Sequence, residues 1–218
     1  MGSGKTIASL YDKNRASTYD SDSHLFLLIG FRMEHYRKKA IEGLGLKNGD
    51  TVIDLCCGTG LNFPLLEKAV GQEGRIIGVD VSAGMLSEAR KKIEHNGWDN
   101  VELINCDVAE YRFPKNIDGI ITSYAITLVP QYDGIIRKGA EALKPGKRFV
   151  ILDFKRPKGW PDWLVRLAVR LLFVPFGANY EMINRHPWES IEKNLNVVSF
   201  REFYFRSVYI DCGVKTRK

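Results

Sequence analysis

The chain has four cysteines in 218 residues, at positions 56, 57, 106 and 212. None stands in a CxxC pair, and the adjacent Cys56 and Cys57 are a poor start for a disulfide or a tetrahedral zinc site. This argues for a reducing compartment, and no metal centre is expected. Long apolar runs are also missing. The most apolar stretch, Trp163 to Phe176, is broken by Arg166 and Arg170 and falls short of the roughly 20 residues that span a bilayer. The first 23 residues repeat Ser, Asp, Lys and Arg and lack the apolar segment of a secretory leader. The expected location is therefore cytoplasmic, with room for a peripheral place on the inner membrane surface. No dense basic run precedes the short tail Lys215 to Lys218, and the formal charge is +6. A balance this mild is compatible with anionic membrane surfaces, nucleic acid or anionic small molecules and selects none of them. Gly4-Lys5-Thr6 has the ending of a phosphate-binding loop without the earlier glycine or the preceding strand that such a loop needs, so nucleotide triphosphate binding is not expected.

Hydrophobic residues make up 44% and charged residues 27%, enough for a real core. The length fits one domain, residues 1–218, with an N-terminal helical cap (1–46) and an insertion on the substrate side (155–196). Apolar spacing predicts a helix over His24 to Leu44, ending near Gly43 and Gly45. Short apolar runs then alternate with helical patterns. Strands are expected at Thr51 to Leu55, Arg75 to Val79, Val101 to Asn105, Ile117 to Ser123 and Arg148 to Phe154. Helices are expected at Leu61 to Val70, at Ser82 to Asn96 with Ser82 as cap and Gly97 as stop, and at Gln131 to Leu143. Two closing strands, Val197 to Phe205 and Ser207 to Val214, read as an antiparallel hairpin. The pattern is that of an α/β, Rossmann-like, seven-stranded and mostly parallel sheet with helices on both faces.

The chemistry gathers at the carboxyl ends of the parallel strands, where open sheets of this kind bind ligands. The first strand runs through Asp54 into Cys-Cys-Gly58-Thr-Gly60. Glycines there let backbone approach a ligand. A dinucleotide loop would want a third glycine where Phe63 stands, and Asp54 would repel a pyrophosphate while accepting a bond from an ammonium group. The second strand ends at Asp80, a spacing suited to a carboxylate that accepts both ribose hydroxyls. The third ends at Asn105-Cys106-Asp107-Val108, where an acid and an apolar residue suit an adenine. A nucleoside with an amino-acid-like tail and no phosphate fits this set, and S-adenosyl-L-methionine answers that description.

These motifs, in this order, resemble the class I S-adenosylmethionine-dependent methyltransferases from about Tyr19 to Phe154. The resemblance implies that Asp54, Gly58 and Gly60 hold the methionine part, Asp80 the ribose, and Asp107 with Val108 the adenine. Val81, Met85 and Ser123 join the cofactor set, and Tyr11 and Tyr19 belong to the N-terminal segment that closes over the cofactor in this family. Cys56 stands where many members have glycine. Tyr19-Asp20, Gly45-Leu-Lys-Asn-Gly-Asp and Leu152-Asp-Phe-Lys-Arg-Pro resemble the C-methyltransferases of ubiquinone and menaquinone synthesis. Gly60-Leu-Asn-Phe-Pro, Ser123-Tyr-Ala-Ile-Thr-Leu-Val-Pro130 and the closing Phe203-Tyr-Phe-Arg-Ser-Val-Tyr-Ile look more like phospholipid and betaine-lipid N-methyltransferases. The reading leans to the second group: an enzyme acting on a lipophilic or amphipathic small molecule, with a headgroup amine as acceptor. A quinone-precursor carbon is the alternative. Arsenite methylation and a non-catalytic S-adenosyl-ligand-binding module stand further behind.

Tyr19 and Tyr124 are the candidate catalytic residues, and Asp153, Arg156 and His186 the candidate substrate contacts. No nucleic-acid partner is expected, because Ser123-Tyr-Ala-Ile replaces the Asn/Asp-Pro-Pro-Tyr type of motif used in base flipping. In the insertion, Asp162, Arg166 and Arg170 fall on one stripe of a helix whose other positions are Trp163, Leu164, Leu167, Leu171, Leu172 and Phe173. Such a helix covers the site as a mostly buried lid, the reading favoured here, or lies in a membrane interface.

Overall fold

The computed structural model describes residues 16–20, 30–173 and 180–216. Seven strands form one sheet: β1 (Thr51–Leu55), β2 (Arg75–Asp80), β3 (Val101–Asn105), β4 (Ile117–Ser123), β5 (Leu143–Phe154), β6 (Asn196–Phe203) and β7 (Val208–Val214). Their order is β3-β2-β1-β4-β5-β7-β6. The first five are parallel neighbours, while β7 runs antiparallel between β5 and β6. The chain reverses its direction of travel across the sheet between β1 and β4, and this switch opens a crevice at their carboxyl ends.

Alternation along the strands divides the core between two faces. Val52, Ile76, Ile121, Val150 and Leu152 pack on the side of helices α1 (Met33–Leu44), α2 (Phe63–Val70) and α3 (Ala83–Asn96). Ile53, Ile77, Val79, Ile120 and Ile151 pack on the opposite side with α4 (Tyr132–Ala142) and α6 (Pro187–Asn194). Helix α3 has the expected ends: Ser82 accepts a bond from the Met85 amide, and Gly97 turns left-handed.

Several boundaries differ from the sequence reading. Helix α1 begins at Met33, not His24; Gly30, at φ 75, turns the chain before it, and residues 24–29 lie outside the described set. Strand β5 starts at Leu143, five residues early, because Leu143 pairs with Ile117 ahead of an irregularity in register. Strand β6 stops at Phe203 because Tyr204, Phe205 and Arg206 are all left-handed, with φ 45, 56 and 62, a run that no strand continues through. Helix α5 (Asp162–Ala168) passes into a wider π turn at Val169–Phe173. It is not a mostly buried cover: Val165 and Val169 are buried, whereas Trp163, Leu167 and Leu171 face solvent.

Phe63 replaces the third glycine of a dinucleotide loop by filling the space that two other glycines leave. A Cβ on Gly60 would stand 2.5 Å from the Phe63 ring, and one on Gly78 would stand 2.8 Å from it. Gly60 is also left-handed, at φ 77. Gly60→Ala is therefore expected to cost about 2 to 4 kcal/mol from overpacking and backbone strain together. Thermal melting checks this, and Phe63→Leu in the same chain should recover the part that comes from the clash. An unchanged melting temperature in Gly60→Ala would remove the packing argument.

Candidate active site

A cleft of about 920 Å³, including its open mouth, occupies the crevice between β1 and β4. Two residues outside the ordinary backbone regions flank it. Cys56, at φ 55, follows β1, and Tyr124, at φ 58, follows β4. Each turns the chain sharply at a strand end, and the left-handed backbone of Cys56 explains why glycine is acceptable at that place.

Asp80 organises the rim from the end of β2. One of its oxygens accepts from the Gly58 amide at 2.8 Å and the other from the Ser82 amide at 2.9 Å. An ionised carboxylate offers about four acceptor sites in all. Asn105 braces the same turn by donating to the carbonyls of Asp80 and Val81, at 3.1 and 2.9 Å. Gly58, Val81, Met85, Asp107, Val108 and Ser123 all line the cleft, as do Tyr19 and Tyr124.

Asp54 and Gly60 do not. Asp54 is wholly buried behind the wall, and both of its oxygens accept from Asn62 Nδ2, at 3.0 and 3.1 Å. The same nitrogen lies 3.1 Å from Ser123 Oγ, and Asn62 Oδ1 accepts from Arg37 Nη1 at 3.0 Å. Burial pushes Asp54 up to about 7, against the Asn62 bonds and the Arg37 charge, which favour the ionised form. The expected direct contact of Asp54 with a ligand ammonium is thus corrected to a supporting place behind Asn62, and Gly60 serves packing against Phe63.

Asp20 pins the segment that carries Tyr19. Its carboxylate accepts from Thr59 Oγ1 at 2.6 Å and from Lys92 Nζ at 3.0 Å. Burial raises the Tyr19 phenol. It raises the Tyr124 phenol far above its ordinary range, and at both positions it favours the neutral hydroxyl. The Tyr124 hydroxyl is buried with no hydrogen-bond partner among the described residues. Tyr11 lies outside those residues.

The three expected substrate contacts are elsewhere. Asp153 is buried, accepting from the amides of Thr127 and Phe154 at 3.0 and 2.7 Å. Arg156 pairs with Asp162 at 3.1 Å in the insertion. His186 stacks on Trp188 with ring centroids 4.6 Å apart, and its Nδ1 is 3.0 Å from Glu189. None of the three lines the cleft.

Sequence reading missed Arg37, Asn62, Leu128 and Val129, which do line it. Arg37 left a signal: it shares the buried stripe of α1 with Ala40, Ile41 and Leu44, where a cation needs a reason. Its guanidinium lies 5.1 Å from the Tyr124 ring centre. Leu128 and Val129 sit at a single-turn 3₁₀ helix, Ile126–Leu128, that periodicity does not reveal.

The cleft fits a nucleoside with a short polar tail. Gly58 is left-handed at φ 56, and a Cβ there would meet only Met85, at 3.7 Å, so backbone faces the opening. Asp80 presents a carboxylate braced by two amides, and Val81, Met85 and Val108 offer apolar surface. The fold is that of the class I S-adenosylmethionine-dependent methyltransferases, whose cofactor is S-adenosyl-L-methionine. The chain belongs to the ubiE/COQ5 methyltransferase family, whose model matches residues 4–164. It is 34% identical over 173 residues to a 2-phytyl-1,4-naphtoquinone methyltransferase of Thermosynechococcus vestitus, a match covering 75% of this chain and 74% of that protein. It is 31% identical over 137 residues to a demethylmenaquinone methyltransferase of Listeria welshimeri. That match covers 61% of this chain and spans only 58% of the relative. Among solved structures, a Haemonchus contortus phosphoethanolamine N-methyltransferase 2 in complex with S-adenosyl-L-methionine superposes with a TM-score of 0.71, covering 97% of this chain and 60% of that one. Its 15% identity marks a shared fold.

Proposed function

We propose that the protein transfers a methyl group to a ring carbon of a lipophilic quinol. The observation that carries this reading is the basic side chain in a cleft whose other charged lining residues are Asp80 and Asp107. Arg37 is the only Lys, Arg or His among its described lining residues. A quinol carbon becomes nucleophilic as its ring oxygen takes on phenolate character, and a guanidinium beside that oxygen stabilises the charge as it develops. An amine must instead shed a proton and go on to carry positive charge, which Arg37 opposes. The family match and the two quinone-methylating relatives support the carbon acceptor, whereas the headgroup-amine reading has only fold-level likeness behind it. The preference stated from sequence is reversed on these grounds. Arsenite methylation is disfavoured because burial pushes the Cys56 and Cys57 thiols well up, away from the thiolate that arsenic needs.

Bound S-adenosylmethionine supplies an electrophilic methyl group on a sulfonium. On this reading Asp80 and the Gly58 backbone hold the nucleoside. Tyr124, Leu128 and Val129 keep water from the acceptor face. Arg37 and the unpartnered Tyr124 hydroxyl meet the acceptor's ring oxygen.

Incubation with cofactor and either a reduced prenylated naphthoquinone or phosphatidylethanolamine, read by mass spectrometry, tests the proposal. The quinol is expected to gain 14 mass units on carbon, the replacement of a hydrogen by a methyl group. Arg37→Met should slow its turnover by roughly 10² to 10³, the scale for losing one oxyanion donor. Methylation of the phospholipid with an inert quinol would overturn it.

A further inference from the structure

The insertion presents a face that the cleft does not use. Trp163 is 66% exposed, Leu167 45% and Leu171 64%. They are spaced four apart, so Trp163 and Leu167 stack one helical turn apart. The wider winding of Val169–Phe173 keeps Leu171 in line with Leu167. Buried Val165 and Val169 hold the opposite side of the helix against the protein. An outward stripe of one Trp and two Leu is therefore the consequence of how the helix is seated.

Charge accompanies the stripe. Residues 156–170 carry four basic side chains, Arg156, Lys158, Arg166 and Arg170, against one acid, Asp162. Lys158, Arg166 and Arg170 are exposed. Arg166 is tethered by Asp162 at 2.7 Å and lies over the Tyr180 ring at 3.9 Å, which fixes the helix in place beside the 3₁₀ turn Tyr180–Asn184. Directly after that turn, Arg185 donates to the carbonyl of Thr127 at 2.7 Å, in the same short turn as cleft residue Leu128. The exposed face and the cleft wall are thus joined through a few direct contacts.

We propose that this face docks on an anionic bilayer, with Trp163, Leu167 and Leu171 entering the headgroup boundary and the surrounding basic side chains meeting lipid phosphates. Trp and Leu flanked by Arg and Lys is the composition that such an interface selects. A protein partner would have to complement the same positive rim, and an anionic lipid surface does so without further shape. No helix among the described residues is long and apolar enough to cross a membrane. The proposal rests on the lipophilic-acceptor reading for its purpose: an acceptor dissolved in the bilayer reaches a cleft held at the surface.

Sedimentation with vesicles of phosphatidylcholine, alone or mixed with phosphatidylglycerol, tests it. Binding is expected to rise with phosphatidylglycerol and to fall as salt screens the basic residues. Trp163→Ser with Leu171→Ser should weaken binding about tenfold or more, and Arg170→Glu should flatten the dependence on anionic lipid. Cofactor affinity should stay unchanged in both variants, since none of these residues lines the cleft. Failure to bind vesicles of either composition, full binding by the double Ser variant, or a dimer in sedimentation velocity that the double Ser substitution dissolves would each overturn the proposal. A short-chain, water-soluble quinol separates the two readings. If it is methylated equally by wild type and the double Ser variant, the acceptor assignment stands whatever the vesicles show; if vesicles bind and no quinol is methylated, only the acceptor assignment falls.

Discussion

Asp80→Ala is expected to weaken S-adenosylhomocysteine binding ten- to a hundredfold and to destabilise the free protein by about 1 to 3 kcal/mol. The first effect is the scale of hydrogen bonds made to a charged acceptor, at about 1.4 kcal/mol per decade of affinity. The second arises because the Gly58 and Ser82 amides both end on this carboxylate at a position only 8% exposed. A part-buried donor and a buried one lose their acceptor at once. From sequence alone, Asp80 is a solvent-facing strand end whose loss spares the fold; the structure makes it a brace of the loop as well. Calorimetry gives the dissociation constant and urea denaturation the stability. A folded variant with an unchanged dissociation constant would take Asp80 out of the cofactor site.

Stability should decline as pH rises from about 4 to 8. Burial pushes three carboxyls above their ordinary range: Asp54 to about 7, Asp153 to about 6 and Asp211 to about 7. Below pH 4 these groups are protonated in folded and unfolded chains alike, and their contribution is fully present. Between the unfolded and folded values the unfolded chain releases its protons first, so every step upward in pH favours unfolding. The loss is complete once pH passes 7. Asp211 is the clearest case, since both of its oxygens are buried without a hydrogen-bond partner among the described residues. At about 1.4 kcal/mol per unit, it alone costs on the order of 4 kcal/mol at pH 8. Asp211→Asn should therefore be more stable than wild type at pH 8, with the advantage shrinking toward pH 4. Parallel urea-denaturation profiles for the two proteins across that range would refute this.

The parallel core was legible because strands buried on both faces leave continuous apolar runs, as in Phe149 to Leu152. Helix α3 was legible to the residue because its cap and stop, Ser82 and Gly97, act through their neighbours in the chain. The rim of the site was readable for the same reason: in this topology strand ends and the turns just after them reach the crevice, which places Asp80, the last residue of β2, and Asp107, two residues past β3, there. Arg156 and His186 misled because a long insertion resembles a substrate loop wherever its side chains point. Their partners, Asp162 and Trp188, are both contacts within the insertion itself.

What sequence alone determined is the order of strands and helices, the acids and glycine at the strand ends, and with them the nucleoside chemistry. Each depends on local backbone preference and on side-chain alternation, which extend over a few residues. Tertiary structure decided which acid lines the cleft. Asp54 and Asp80 both stand at the carboxyl-terminal part of parallel strands, yet Asn62 covers the first and two backbone amides brace the second. It also brought Arg37, Asn62 and Ser123 together from positions 25 and 61 residues apart, and it turned Trp163, Leu167 and Leu171 outward. These outcomes depend on which surfaces meet when the helices close on the sheet, and no short-range pattern in the chain encodes that.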